Sequence, residues 1–254
     1  MRLRILGCSG GIGGANRTTC FLLDDSVLID AGTGLSALSY KQLQLIDHVF
    51  LTHAHLDHIA CLPMLLDTVV SSRTMPITVH ATTETLDVLK THIFNWRVWP
   101  DFTTIPSAEA PVLQFATMEL GETRAVPGGK VTALPAKHTV PAVGYLLESK
   151  RGALAFSGDS TDCAAFWDAV NTGPKLDYLI LETAFSNREE KIARASRHFS
   201  PASMLHAIHG FKQDAEILVT HLKPADARLT MREILRDGRH RSFSRLKQGQ
   251  VLEF

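Results

Sequence analysis

Cysteine is scarce: four residues in 254, Cys8, Cys20, Cys61 and Cys163, with no CxxC pair among them. That excludes a disulfide framework and a thiolate zinc ribbon, and it leaves reduced core thiols of a cytoplasmic protein as the expectation. Surplus charge is absent too. Lys plus Arg equals Asp plus Glu at 26 each, so nothing pulls the whole chain toward nucleic acid or an anionic membrane. No apolar run is long enough for a membrane span or a signal peptide, and the chain enters an alternating pattern at once, Leu3 and Ile5 against Arg2 and Arg4. Short repeats and low-complexity tracts are missing. The glycine-rich stretch Gly7–Gly14 lacks the lysine of a P-loop and reads as a turn between the first two strands.

What is present suits a packed α/β protein. The chain is 45% hydrophobic and 20% charged, enough to bury a sizeable core, and a single domain over residues 1–254 is expected. Strand patterns fall at Leu3–Leu6, Cys20–Leu23, Val27–Ile29, His48–Thr52, Ile77–His80, Val112–Met118, Lys130–Leu134, Gly144–Leu147, Ala153–Phe156, Asp177–Leu181 and Glu216–Thr220. Helices are expected from Asp57 to Val70, after Thr82 or Thr83, over Cys163–Val170, from Ser200-Pro201 and over Arg228–Arg236. The charged run Asn187–Arg197 reads as a solvated loop. Series of strands alternating with helices predict two sheets face to face with helices outside.

Histidine is the outlier, with twelve residues. Three of them crowd into His53-Ala54-His55-Leu56-Asp57-His58, directly after the buried run Val49-Phe50-Leu51. On an extended segment His53 and His55 face one side, and Asp57 and His58 fall where a helix begins. Neutral imidazoles and a carboxylate converging after a strand are the donors that a zinc-like ion takes.

The segment resembles the HxHxDH hallmark of the metallo-β-lactamase superfamily. The likeness continues, in family order, through Val27-Leu28-Ile29-Asp30-Ala31-Gly32, Ala136-Lys137-His138, Phe156-Ser157-Gly158-Asp159-Ser160 and Leu218-Val219-Thr220-His221. It implies a four-layer αββα sandwich with the site along one edge of the sheets, and an Asp30 that supports the metal loop rather than binding metal. It also implies two divalent ions: one held by His53, His55 and His138, one by Asp57, His58 and His221, with Asp159 bridging. Zinc is the expected metal; manganese or iron also suits nitrogen and oxygen donors. A hydroxide shared by the two ions would be the nucleophile, oriented by Asp57.

Leu181-Glu182-Thr183-Ala184-Phe185 and Arg197-His198-Phe199-Ser200-Pro201 resemble the phosphodiesterase branch of that superfamily. A ribose alkoxide leaves poorly without a proton, so His198, held by Glu182, is the candidate donor. Within the branch the segments are most like class II 3′,5′-cyclic-nucleotide phosphodiesterases, although Cys61 stands where a small glycine or serine is usual. The expected partner is a nucleotide, with 3′,5′-cyclic AMP or GMP hydrolysed to the 5′-nucleotide, in a cytoplasmic homodimer with no membrane. The alternatives are an RNA 3′-processing endonuclease like tRNase Z, suggested by Gly10-Gly11 with Arg17-Thr18, and a metal-binding regulator without turnover. Trp96 and Trp99, three apart, would share a helical face; core or oligomer packing is their plainer reading, as a surface position is for Arg97 and Lys223. His48, His80, His92, His206, His209 and His240 read as structural or exposed.

Overall fold

Alternation along the strands divides the apolar side chains between separate cores. Leu3, Ile5, Phe21, Leu23, Val27, Ile29 and Phe50 enter one cluster, while their neighbours Cys20, Leu22, Leu28, Val49 and Leu51 enter another. A strand whose two faces are both buried reads as a continuous apolar run, as Cys20–Leu23 and Val27–Ile29 do.

The structure is a computed structural model describing residues 1–254. Its strands are β1 (Arg2–Gly7), β2 (Cys20–Leu23), β3 (Val27–Ile29), β4 (His48–Phe50), β5 (Ile77–Ala81), β6 (Leu113–Thr117), β7 (Thr123–Val126), β8 (Gly129–Pro135), β9 (Val143–Ser149), β10 (Ala153–Phe156), β11 (Tyr178–Glu182), β12 (Glu216–Thr220), β13 (Phe243–Arg245) and β14 (Val251–Glu253). They form two 7-stranded sheets, ordered β14-β1-β2-β3-β4-β5-β6 and β13-β12-β11-β10-β9-β8-β7. The helices are α1 (Tyr40–Leu43), α2 (Leu56–Ile59), α3 (Leu62–Val69), α4 (Thr83–Val88), α5 (Ala164–Thr172), α6 (Glu190–Ala195), α7 (Pro201–Ala207) and α8 (Ala227–Asp237).

Three cores make four layers. The cluster between the sheets joins Ile5, Phe21 and Phe50 of the first to Tyr145, Phe156, Ile180 and Leu218 of the second. Leu62, Leu65 and Leu66 of α3 cover the outer face of the first sheet, and Phe166, Met204 and Ile234 of α5, α7 and α8 cover that of the second. The expected αββα sandwich is therefore present. The sheets are also joined by a polar bond: the buried Tyr145 hydroxyl donates to Leu51 O at 2.7 Å. No helix is long and apolar enough to cross a membrane.

Several local expectations need correction. The helix expected over Asp57–Val70 is broken into α2 and α3, because Cys61 N turns to Ala31 O at 2.9 Å instead of continuing the ladder, and Pro63 sits in the first turn of α3. Asn187–Arg197 contains α6, built from good helix formers and braced by the Glu190–Arg194 pair at 2.8 Å. Trp96 and Trp99 share no helical face. They follow a short π-helical turn, Leu89–Ile93; Trp96 has φ 62 and is 65% exposed, while Trp99 packs toward the core around Phe94. Strands β7, β13 and β14 were not anticipated.

Candidate metal centre

Strands β3 through β6 run parallel, and so do β10 through β13. Their carboxyl ends therefore point to one edge of the sandwich, the place where loops of open α/β sheets converge on ligands. His53, His55, Asp57 and His58 follow β4; His138 follows β8, Asp159 follows β10, Glu182 ends β11 and His221 follows β12.

The structure brings all seven candidate ligands together. The donor atoms of His53, His55 and His138 lie within 4.8 Å of one another, and so do those of Asp57, His58, Asp159 and His221. Asp159 touches both sets: its carboxylate lies 3.2 Å from His58 Nε2, 3.2 Å from His221 Nδ1 and 3.7 Å from His53 Nε2. Asp57 stands at the mouth, its side chain 29% exposed, 3.9 Å from His58 Nε2 and 3.7 Å from His221 Nε2.

Surrounding bonds fix the tautomers. Asp30, fully buried, accepts from Thr52 N at 2.8 Å, from Thr52 Oγ1 at 2.9 Å and from His58 Nδ1 at 2.7 Å. With its own proton given to Asp30, Thr52 Oγ1 accepts from His53 Nδ1 at 3.0 Å. His138 Nδ1 donates to Arg197 O at 3.3 Å. Each of these bonds leaves the Nε2 lone pair facing the cluster, as an outer hydrogen bond does for a metal-binding histidine. Asp30 thus ties Thr52 and His58 together from behind the cluster.

Buried atoms supply the test of fit. His53 Nε2, His58 Nε2 and both ring nitrogens of His221 have no hydrogen-bond partner in the protein; the carboxylate oxygens near them lie off the line of a bond. An unsatisfied buried polar atom costs about 1–3 kcal/mol, so four of them at one point make poor sense as structure alone. The donors suit a divalent cation: burial pushes the His53 imidazole well below its ordinary value, His138 down to about 4 and His221 down to about 3, so these rings are neutral. At His58 the Asp159 and Asp30 carboxylates outweigh burial and raise the value, so that a cation there would displace a proton.

His198 differs. Its Nδ1 lies 2.8 Å from Glu182 Oε1, and Glu182 is fully buried. That carboxylate also accepts from Ser160 N at 3.1 Å and Phe199 N at 3.4 Å; burial pushes it up, and His198 and the Ser160 bond pull against that. Burial alone would lower His198, but Glu182 outweighs it and raises the value. The ring stacks beside His221, centroids 5.1 Å apart, and one of its nitrogens comes within 4.8 Å of the donor atoms of His138 and Asp159. With Glu182 holding its Nδ1 side, the His198 imidazole is placed to act as an acid.

Backbone strain gathers here. Of the five non-glycine residues with positive φ, Asp30 (58), Arg197 (53) and His221 (61) belong to the site. Gly10 is required beside them, since a β-carbon there would collide with His221 O. Lys223 does not face the cluster as a free cation: its Nζ donates to Gly10 O at 2.6 Å. Thr52 and Arg197 went unread in the sequence, and no residue pattern marks either. His48 and His80 pair at 3.1 Å, His209 and His240 stack at the surface, and none of these joins the site.

Residues 25–222 match the family model of the beta-lactamase superfamily domain. A probable 3′,5′-cyclic-nucleotide phosphodiesterase of Yersinia pestis is 24% identical over 274 aligned residues, covering 87% of this chain and 77% of that protein. A ribonuclease Z of Clostridium beijerinckii is 32% identical over 158 residues, 58% of this chain and 49% of that protein, so the chain spans about half its length. Among solved structures, unliganded yeast PDE1 matches with a TM-score of 0.83 at 20% identity over 100% of this chain and 99% of that one. Human tRNase Z, short form, matches at 0.69 and 19% identity over 100% and 99%. At such identities these neighbours show the fold.

Proposed function

Because this chain belongs to the beta-lactamase superfamily, we propose that it is a metal-dependent phosphodiesterase that hydrolyses 3′,5′-cyclic nucleotides to 5′-nucleotides. The observation that carries the reading is the buried His198–Glu182 pair, 2.8 Å apart and stacked against the ligand cluster. A hydrolase of activated esters has no need of a proton donor there; an alkoxide leaving group does. The cyclic-nucleotide phosphodiesterase relative, aligned over 87% of this chain, supports that choice of ester.

Two divalent ions, zinc by donor type, would supply a water acidified to neutral pH and positive charge against the phosphoryl oxygens. His53, His55 and His138 would hold one, Asp57, His58 and His221 the other, with Asp159 shared. Asp57, the most exposed carboxylate of the set, would orient the attacking water toward phosphorus. His198, its Nδ1–H held by Glu182, would give its other proton to the departing 3′ oxygen. Burial of the cluster excludes bulk water and strengthens each of these interactions.

Product chromatography tests this directly. Metal-replete protein incubated with 3′,5′-cyclic AMP should yield 5′-AMP, and EDTA-treated protein should yield none. A 3′-AMP product, or no turnover at full metal content, would remove the cyclic-nucleotide reading. RNA 3′ ends are then the second substrate to try, on the strength of the 32% identity to a ribonuclease Z.

A further inference from the structure

His138 and Arg197 are 59 residues apart in sequence and bonded to each other twice. His138 Nδ1 donates to Arg197 O at 3.3 Å, and Arg197 Nη1 donates back to His138 O at 2.6 Å. Arg197 holds a left-handed backbone, φ 53, without being glycine. That conformation turns its carbonyl toward the imidazole and, one residue later, delivers His198 to Glu182. A strained conformation persists when surrounding bonds over-determine it, and the reciprocal pair does so here. The rings it brings together, His138 and His198, lie edge to face with centroids 4.9 Å apart.

We propose that Arg197 is a positioning residue that locks the His138 turn to the His198 loop, so that the ligand end and the proton-donor end of the site are set by one clasp. The carbonyl selects the His138 tautomer whose Nε2 faces the cluster. The guanidinium holds that carbonyl in place by gripping the His138 backbone. No carboxylate pairs with Arg197, and the hydrogen bond its guanidinium makes to the fold is this clasp. Arg197 also borders a cavity with Lys137, Glu84 and Glu119, and direct contact with substrate is the competing role.

The inference rests on the metal-centre reading, and its primary readout needs no substrate. Zinc-loaded full-length protein is mixed with excess chelator, and the rate of zinc loss is compared among wild type, Arg197→Ala and Arg197→Lys. Arg197→Ala keeps the carbonyl but frees it from the guanidinium clasp. Since losing an outer hydrogen-bonding partner weakens metal binding by about 10–100-fold, a loosened one should release zinc up to about tenfold faster, with partial recovery in Arg197→Lys. On 3′,5′-cyclic AMP, kcat should fall while KM stays within about twofold. Zinc retention at the wild-type rate with a raised KM would overturn the proposal in favour of substrate contact. A lowered Tm with unchanged zinc release would reduce Arg197 to a fold contact. If Arg197→Ala does not fold, Arg197→Lys and Arg197→Gln carry the release assay. A protein inactive on cyclic nucleotides leaves that assay fully interpretable.

Discussion

Asp30 Oδ2 lies 2.7 Å from His58 Nδ1, with neither side chain exposed to solvent. The carboxylate is reached by three donors from the segment that opens the histidine cluster, so a residue 28 positions upstream fixes the geometry of the loop. Asp30→Ala should cost about 3 kcal/mol of stability, because it leaves a buried imidazole and hydroxyl without their partner. Urea unfolding in EDTA reads that loss apart from any effect on metal binding.

Asp159 is the carboxylate common to both donor sets. Asp159→Ala should lower the metal content per chain and abolish turnover together. Elemental analysis after gel filtration checks it; full metal content in an inactive variant would remove the shared-ligand role.

His198→Ala should separate binding from chemistry. Metal content should stay at the wild-type level while kcat falls by about 10²–10⁴-fold. Unchanged kcat would take the proton-donor role away from His198.

The pH profile follows from the same pair. Burial pulls His198 down but Glu182 outweighs it and raises it above its ordinary value, so the acid form persists to higher pH than in a free imidazole. Rate should decline as pH rises through that raised value and the donor proton is lost. Glu182→Gln removes the attraction and should move the alkaline limb to lower pH. A limb that stays in place would mean that another group sets it.

His80 gives a stability prediction away from the site. It stacks on Phe50, bonds His48, and is pushed down to about 4, chiefly by burial. An unfolded histidine binds a proton below about pH 6.5, while folded His80 does not until about 4. Its contribution is therefore complete above pH 6.5 and is lost as pH falls toward 4, by about 2 kcal/mol after allowance for partial solvent access. His80→Gln should flatten the acid dependence of the unfolding free energy, read from urea titrations, by that amount.

The sequence was most legible where burial on two faces or convergence of donors left a dense pattern. Cys20–Leu23, Val27–Ile29 and Ala153–Phe156 appear as expected because each is buried along its whole length. The edge strands escaped. Val251–Glu253 buries only its central residue, and its pairing partner is Arg2–Arg4, far away in sequence. Charge density misled over Asn187–Arg197: a short amphipathic helix and a loop carry similar compositions, and only Ala193 of α6 is buried. The histidines and Asp159 stood out by residue type. Thr52 and Arg197 did not, because their part is played by a hydroxyl that donates to Asp30 and accepts from His53, and by a backbone angle, neither of which has a residue pattern.

The Tyr145–Leu51 bond joins the second sheet to the chain two residues before His53. His53, His55 and His58 ride on the first sheet and His138, Asp159 and His221 on the second, so neither sheet owns a complete set of donors. Metal affinity in this protein is then a gauge of how the two layers are docked. Tyr145→Phe, which removes no candidate ligand or proton donor, should loosen that docking and release zinc to a chelator faster than wild type. In the other direction, a bound ion would act as a rivet across the rim: amide exchange should slow at the ends of β4, β8, β10 and β12 when zinc is added, and change little at their far ends.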